Sequence, residues 1–271
     1  MLRSGPRMMV VGATATLALA ACGSTSSTPT PTAPAATPTA TPDPFSGAIT
    51  VLAASSLTSA FNTAEMELES TNPGFKATYS FAGSQALVTQ IINGAPADVI
   101  ATANTDTMAQ LTAKNLVQTP VKFCQNKLEI AVAPGNPLGI TSLADLNKPG
   151  VKLVIGDPSV PVGSYVTDIE TSDNIHFKPV SLQLSDAAVL EQLESGDANA
   201  ALVFVTDVIT AGSKVTGVQI PDAQNKIGTY EIAAVSVSSN LAAAEAFVTA
   251  AVSGPIQTAL ITVGFLPPPA S

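Results

Sequence analysis

Short apolar runs and segments with helical spacing alternate along most of the chain. The predicted strands are 48–53, 75–81, 98–103, 128–133, 151–155, 200–205 and 229–237, and the predicted helices are 57–69, 85–92, 107–114, 162–171, 187–194, 241–252 and 255–263. Strands that alternate with helices favour parallel sheets covered on both faces. Because the pattern restarts after Pro134 and Gly135, we predict an α/β fold with two lobes, each a mainly parallel sheet flanked by helices.

The N-terminal residues do not fit this pattern. Arg3 and Arg7 precede an apolar run at 8–21 that is too short for a membrane span and ends in Leu-Ala-Ala-Cys. This ending resembles the lipobox of bacterial lipoproteins. We therefore predict a signal peptide over 1–21 and lipidation of Cys22, the alternative being an ordinary secretory signal followed by an incidental cysteine.

A low-complexity segment follows the predicted lipidation site. Residues 24–44 contain only Ser, Thr, Pro, Ala and one Asp, so they lack the large apolar side chains that a core requires. We predict that 22–46 is a lipidated tether. It would hold a monomeric domain at the outer face of the bacterial cell membrane.

Charge and cysteine content narrow the possible functions. Both arginines lie in the predicted signal, so the mature chain has nine lysines against 20 acidic residues, a formal charge of nine minus twenty, or −11. Nucleic acid is an unfavourable partner for such a chain. A bound anion would be held by backbone N–H groups and hydroxyls rather than by arginine. Cys124 is the only cysteine besides Cys22, which leaves no internal disulfide.

Two serines follow predicted strands at the points where helices begin. Ser56 follows the strand 48–53, and Ser84 follows 75–81 directly after Gly83. A serine at such a junction caps free helix N–H donors, and the helix dipole makes the same position favourable for an anion. Ligands of doubly wound sheets lie beyond the carboxyl ends of the strands. The alternative is a chance repetition of two capping serines.

Six segments occur in an order that resembles a known family. They are TVLAASSLTSAF, YSFAGSQALVTQI, GAPADVIATA, NKLEIAVAPGNP, VIGDPSVPVGSY and ALVFVTD. Together they resemble the molybdate-binding components of ABC transporters, a branch of the type 2 periplasmic binding proteins, over 47–265. The resemblance implies lobe 1 at 47–131 plus 229–271 and lobe 2 at 132–228, with crossing segments near 127–134 and 228–235.

The resemblance also implies a ligand site. Ser56 and Ser84 would each offer a hydroxyl and a backbone N–H to molybdate or tungstate. Val162 would offer its backbone N–H, and Pro161 and Gly163 suit a rigid turn at a helix start. The same resemblance implies an ABC permease and its ATPase as partners, and no cofactor.

Two positions depart from the family's pattern. Phe204 stands where many members have a tyrosine that binds the anion, a loss of one donor that costs about 1.5–3 kcal/mol unless another group replaces it. Tyr165 is a conceivable substitute. Asp186 stands where an apolar residue usually offers its N–H to the metal oxyanion. It would repel the anion unless it caps its helix facing away, or unless Ser185 is the true contact.

Other functions remain open at this point. The same fold could bind sulfate or another small anion, and a surface structural or adhesive lipoprotein would bind none. An enzyme is disfavoured because His176 is the only histidine and no acid–base pair is apparent. Asp157 is expected to shape a turn, and Cys124 to be a buried small hydrophobe.

Overall fold

A computed structural model of the protein describes residues 45–270. The predicted signal peptide, the predicted lipidation site Cys22 and the tether up to Pro44 lie outside the described residues. The described part begins at Phe45, whose ring packs edge-on against Phe75 with centroids 5.3 Å apart.

Strands and helices alternate along most of the described residues. The strands are β1 (Gly47–Ala54), β2 (Phe75–Ala82), β3 (Val99–Thr102), β4 (Val121–Val132), β5 (Leu153–Gly156), β6 (Ser181–Gln183), β7 (Ala200–Phe204), β8 (Thr216–Gln219) and β9 (Ile227–Ala234). The helices are α1 (Thr58–Thr71), α2 (Ser84–Ile92), α3 (Thr105–Thr112), α4 (Pro161–Asp173), α5 (Asp186–Glu194), α6 (Val205–Ala211), α7 (Leu241–Ser253) and α8 (Pro255–Thr262).

The strands form one continuous path of hydrogen-bonded neighbours. Its order is β2-β1-β3-β9-β4-β7-β5-β6, and β8 pairs with β4. We call β1, β2, β3 and β9 the first half of the sheet and β5 to β8 the second half. In the first half β1 is parallel to β2 and β3, and in the second half β5 is parallel to β6 and β7. Each half therefore contains a three-stranded parallel portion.

Strand β4 passes from one half to the other. Its residues 121–127 pair with β9, whereas Leu128–Val132 pair with β7 and β8, all antiparallel. The change of partner falls at the start of the predicted crossing segment 127–134. The sheet is mixed rather than purely parallel because β4 and β9 run in opposite directions between the halves. The predicted α/β class is confirmed.

Helices cover both faces of the sheet, because alternate strand residues point to opposite sides. Val51 packs in the large core with α1, α7 and α8, whereas Leu52 faces α2 and α3. In the second half Leu202 shares the large core with α4, whereas Val203 faces α5 and α6. The sheet is therefore buried on both faces.

The sequence pattern missed three elements, β6, β8 and α6. Strand β6 has three residues and lies at the end of the sheet. Its Leu182 is 47% exposed. Because the strand is not buried, its sequence has no apolar run that would predict it. Strand β4 begins at Val121, earlier than predicted; the sequence pattern missed its first part because Lys and Gln interrupt the apolar run there. Within 45–270 no single helix is long and apolar enough to cross a bilayer; the pair α7 and α8, bent by 44°, meets the length and composition criteria only jointly.

Candidate functional site

The two predicted serines lie beyond the carboxyl ends of neighbouring parallel strands. Ala54 of β1 and Ala82 of β2 are opposite each other in register, and Ser56 and Ser84 each follow two residues later. Both serines are buried, with 7% and 1% of their surface exposed. The structure therefore brings the two hydroxyls to one edge of the first half of the sheet.

Ser56 lies in the short 3-10 turn between β1 and α1. Its Oγ is 2.9 Å from the hydroxyl oxygen of Tyr230, a fully buried residue of β9. Burial raises the pKa of Tyr230 well above its usual value, and the negative charges of Asp186 and Asp207 act in the same direction. Tyr230 therefore keeps its proton and remains a hydrogen-bonding hydroxyl.

Ser84 is the first residue of α2. Its Oγ accepts a hydrogen bond of 3.1 Å from the backbone N–H of Ala103, directly after β3. The hydroxyl still carries its own proton, which it can donate to a further acceptor. Tyr165 of α4 donates to the carbonyl of the same Ala103 at 3.3 Å. The predicted substitute donor Tyr165 thus lies beside Ser84, with its hydroxyl bonded to backbone.

In the second half, Val162 lies in the first turn of α4. A tight turn precedes it, since a Cβ on Gly163 would overlap the backbone carbonyl of Asp157. Asp157 accepts hydrogen bonds from the hydroxyl and the N–H of Ser159, at 2.6 and 2.9 Å, and these bonds lower its pKa. The expected turn is therefore formed. It presents the first N–H groups of α4, which have no partner within the helix.

The sequence analysis considered Asp186 as the cap of its helix and Ser185 as a contact of the site, and the structure reverses these roles. Ser185 caps α5, because its Oγ accepts the N–H of Ala188 at 3.1 Å. Asp186, the first residue of α5, receives a hydrogen bond from the hydroxyl of Ser55, which follows β1. The expectation that Asp186 faces away from the site is wrong, because its carboxyl accepts the hydroxyl of Ser55 from the first half. The Asp186 side chain points toward the first half instead.

A second buried carboxyl lies next to Asp186. Asp207 of α6 accepts the backbone N–H of Phe204 at 2.9 Å and lies within hydrogen-bonding reach of Asp186. Burial raises the pKa of both carboxyls, and the charge of Asp186 raises that of Asp207 further. The Oδ2 of Asp186 is buried, and no donor among the described residues meets it in good hydrogen-bond geometry. Sequence reasoning missed Asp207, although its place in the ALVFVTD segment was a signal.

Phe204 ends β7 with 1% of its surface exposed. Its ring packs edge-on against Tyr230, with centroids 5.8 Å apart, and against Tyr165 at 6.2 Å. It supplies no hydroxyl to the site. The hydroxyl closest to Ser56 comes instead from Tyr230 on β9, which the sequence analysis did not single out. A tyrosine within an apolar strand was the available signal, because a buried tyrosine needs a partner for its hydroxyl.

The loops beyond the parallel strands of the two halves are in contact. Strands β2 and β6 lie at opposite ends of the sheet path, yet a Cβ on Gly83, after β2, would overlap the carbonyl oxygen of Leu184, after β6. Asn104 donates to the hydroxyl of Ser164 at 3.4 Å. Together with the hydrogen bond to Asp186, these contacts show that the two halves close on each other at the predicted site.

The remaining candidate residues lie apart from this edge or are inert. Cys124 is fully buried on β4, and burial raises the pKa of its thiol well above the usual value, as expected of a small buried hydrophobe. His176 is exposed. Within 45–270 no group of three or more His, Cys, Asp and Glu side chains is arranged to hold a metal ion.

We call the place where the loops of the two halves meet the closed edge. The chemistry available there is that of an anion receptor. Three helices, α2, α4 and α5, begin there, and two buried serine hydroxyls accompany their free N–H groups. Such N-termini favour negative charge without any basic side chain. The carboxyls of Asp186 and Asp207 oppose this preference as long as they are ionised.

Comparisons with known proteins agree with this description. The family described as bacterial extracellular solute-binding protein matches residues 49–266. The molybdate-binding protein ModA of Mycobacterium tuberculosis H37Rv is 40% identical over 228 residues, which cover 83% of this chain and 87% of that protein.

Two solved structures share the fold. The periplasmic molybdate-binding protein of Azotobacter vinelandii has a TM-score of 0.74 at 18% identity, covering 82% of this chain and 100% of that one. The sulfate-binding protein SubI of Mycobacterium tuberculosis H37Rv has a TM-score of 0.73 at 18% identity, covering 81% and 86%. Their similarity is one of fold.

Proposed function

This chain belongs to the bacterial extracellular solute-binding protein family, and we propose that it captures molybdate or tungstate between its sheet halves and delivers it to an ABC importer. The family binds solutes outside the cytoplasm and is not one of enzymes. The observation that carries the proposal is the pair of buried serines, Ser56 and Ser84, at strand-to-helix junctions that face the second half. The relative with 40% identity, a molybdate-binding protein, supports this choice of ligand.

The proposed contacts are hydrogen bonds to the oxygen atoms of the anion. Ser56 and Ser84 would donate from their hydroxyls and N–H groups, and Val162 and Asp186 from the N–H groups that begin α4 and α5. The metal atom is enclosed by its own oxygens, so no side chain coordinates it and no separate cofactor is involved. Each contact is a charge-assisted hydrogen bond, stronger than a neutral one.

Binding and release would follow from movement of two lobes. We place lobe 1 at 47–131 plus 229–271 and lobe 2 at 132–228, because β4 changes partners between 127 and 128. An anion that contacts both lobes binds the closed form more tightly and so shifts the population toward it. The permease and its ATPase would recognise this closed form. Lipidation of Cys22 and the tether 22–46 would keep a monomeric receptor near them.

Sulfate is the second candidate ligand, because the solved sulfate-binding neighbour has the same fold and Phe204 removes a donor. A thermal-shift titration of the purified protein with molybdate, tungstate, sulfate and phosphate separates these ligands. Ligand at about a hundred times its dissociation constant adds about 2.7 kcal/mol to stability.

We expect the melting temperature to rise with molybdate and tungstate, and much less in Ser56→Ala and Ser84→Ala. Ser70→Ala is the matched control, since Ser70 is exposed and bonds only to the carbonyl of Glu67. A rise with sulfate alone would transfer the proposal to sulfate. No response to any of the four anions would refute the transport function.

A further inference from the structure

We infer that Tyr230 is a positioning residue for anion binding, because its hydroxyl donates to Ser56 and so leaves the proton of Ser56 free for the ligand. The inference rests on the proposed function and adds to it a residue that does not itself touch the anion. Tyr230 lies on β9, and its hydroxyl oxygen is 2.9 Å from the Oγ of Ser56. The direction of this one hydrogen bond decides what Ser56 can offer to a ligand.

The surroundings of Tyr230 determine that direction. The residue is fully buried, and the rings of Phe123, Phe204 and Phe265 pack edge-on against its ring, at centroid distances of 6.4, 5.8 and 5.3 Å. Within 45–270 the Oγ of Ser56 is the one hydrogen-bond partner of the Tyr230 hydroxyl. If the phenol accepted the proton of Ser56, its own proton would be buried among apolar rings without an acceptor, which is unfavourable.

Two carboxyls near the tyrosine do not provide an alternative acceptor. Burial raises the pKa of Tyr230, and the charges of Asp186 and Asp207 raise it further, but neither carboxyl is hydrogen-bonded to it in the described part of the chain. Asp186 accepts the hydroxyl of Ser55, and Asp207 accepts the backbone N–H of Phe204. The phenol therefore stays protonated and gives its proton to Ser56.

Ser56 must then donate to a group other than the protein's own. Its Oγ accepts from Tyr230, and no described residue accepts its proton. The residue is only 7% exposed, so a proton without an acceptor is costly there unless an anion takes it. Ser84 has the same arrangement, because its Oγ accepts the backbone N–H of Ala103 at 3.1 Å. Each of the two serines thus has one scaffold donor that directs its proton elsewhere.

The hydrogen bond from Tyr230 also makes Ser56 a better donor. A hydroxyl that accepts one hydrogen bond is polarised and donates the next one more strongly. Its rotation is restricted as well, so less orientational freedom is lost when the anion binds. Removing the phenol hydroxyl should therefore weaken anion binding, and should do so only through Ser56.

A double-mutant cycle separates this role from a general effect on the fold. Molybdate affinity is measured by calorimetry for the natural protein, Tyr230→Phe, Ser56→Ala and the double variant, and Tyr230→Phe is also combined with Ser84→Ala. The double variant leaves neither hydroxyl of the pair without its partner. Tyr79→Phe is the matched control, because the Tyr79 hydroxyl, on β2, is buried without a hydrogen-bond partner in the described structure.

We expect Tyr230→Phe to weaken molybdate binding about fivefold, and about fivefold again when it is added to Ser84→Ala. When it is added to Ser56→Ala, it should change the affinity by less than about twofold, because the hydroxyl that Tyr230 orients is already absent. Tyr79→Phe should bind molybdate as the natural protein does.

Two results would overturn the inference while leaving anion binding intact. An equal loss when Tyr230→Phe is added to Ser56→Ala and to Ser84→Ala would mean that the tyrosine acts through the fold or donates to the anion directly. Unchanged affinity in Tyr230→Phe would mean that Ser56 needs no orienting partner. Absence of molybdate binding by the natural protein would instead refute the proposed ligand, and the inference with it.

Discussion

Replacing Gly83 with alanine should weaken anion binding without damaging the fold. Gly83 has φ −59° and ψ 136°, angles that alanine adopts freely. A Cβ at this position meets no obstacle within the first half of the sheet, but it overlaps the carbonyl oxygen of Leu184 in the second half. The substitution therefore opposes only the contact between the two halves.

The size of the effect follows from this overlap. The added carbon would lie more than about 1 Å inside the roughly 3.5 Å at which non-bonded heavy atoms pack best. The halves must separate by about that amount, which displaces Val162 and Asp186 relative to Ser56 and Ser84. A misplacement of about 1 Å at a binding constellation costs about a hundredfold, or about 2.7 kcal/mol.

Calorimetric titration with molybdate checks this prediction, with Gly74→Ala as the control. A Cβ at Gly74 meets nothing within 4 Å, so this variant makes the same chemical change in open space. We expect Gly83→Ala to weaken binding about a hundredfold and Gly74→Ala to leave it unchanged, with the ligand-free proteins differing in stability by less than about 1 kcal/mol. Binding by Gly83→Ala at the natural affinity would refute closure as the source of affinity.

Three further substitutions test parts of the site. Tyr230→Phe leaves the Ser56 hydroxyl without its partner and should lower the free energy of unfolding by about 1 kcal/mol in urea denaturation. Ser185→Ala removes the cap of α5 and should cost about 1 kcal/mol in the same assay, whereas an unchanged midpoint would contradict the capping role. Burial and repulsion by Asp186 raise the pKa of Asp207, so the folded protein binds more protons than the unfolded one. Its free energy of unfolding should fall by up to about 1.4 kcal/mol per pH unit, from about pH 4 up to the raised pKa; Asp207→Asn should flatten that decline, and an equal slope would contradict the assignment.

Most of the fold was predictable because periodicity is a local signal. The strands that became β3, β5 and β7 are buried apolar runs, and helices α1 to α5 follow strands with amphipathic spacing. Strand β6 and the first part of β4 were not predictable in this way, because their residues are exposed or mixed. Their pairing depends on strands distant in sequence.

The candidate site was predictable only in part. Ser56 and Ser84 could be singled out because a serine at a strand-to-helix junction has a local physical role. Tyr230 and Asp207 could not, because each acts through a contact between residues far apart in the chain: Tyr230 with Ser56, and Asp207 with Asp186. The direction of the Asp186 side chain depended on Ser185 taking the cap, which sequence spacing leaves undecided.

The most direct test of the central claim is a crystal structure of the protein grown with tungstate, with the tungsten located by its anomalous scattering. The account predicts one strong peak between the two sheet halves, with tungstate oxygens about 2.7–3.0 Å from the hydroxyls of Ser56 and Ser84 and from the N–H of Val162. A tungsten peak elsewhere on the protein, with no peak at the closed edge, would contradict the assignment of the site.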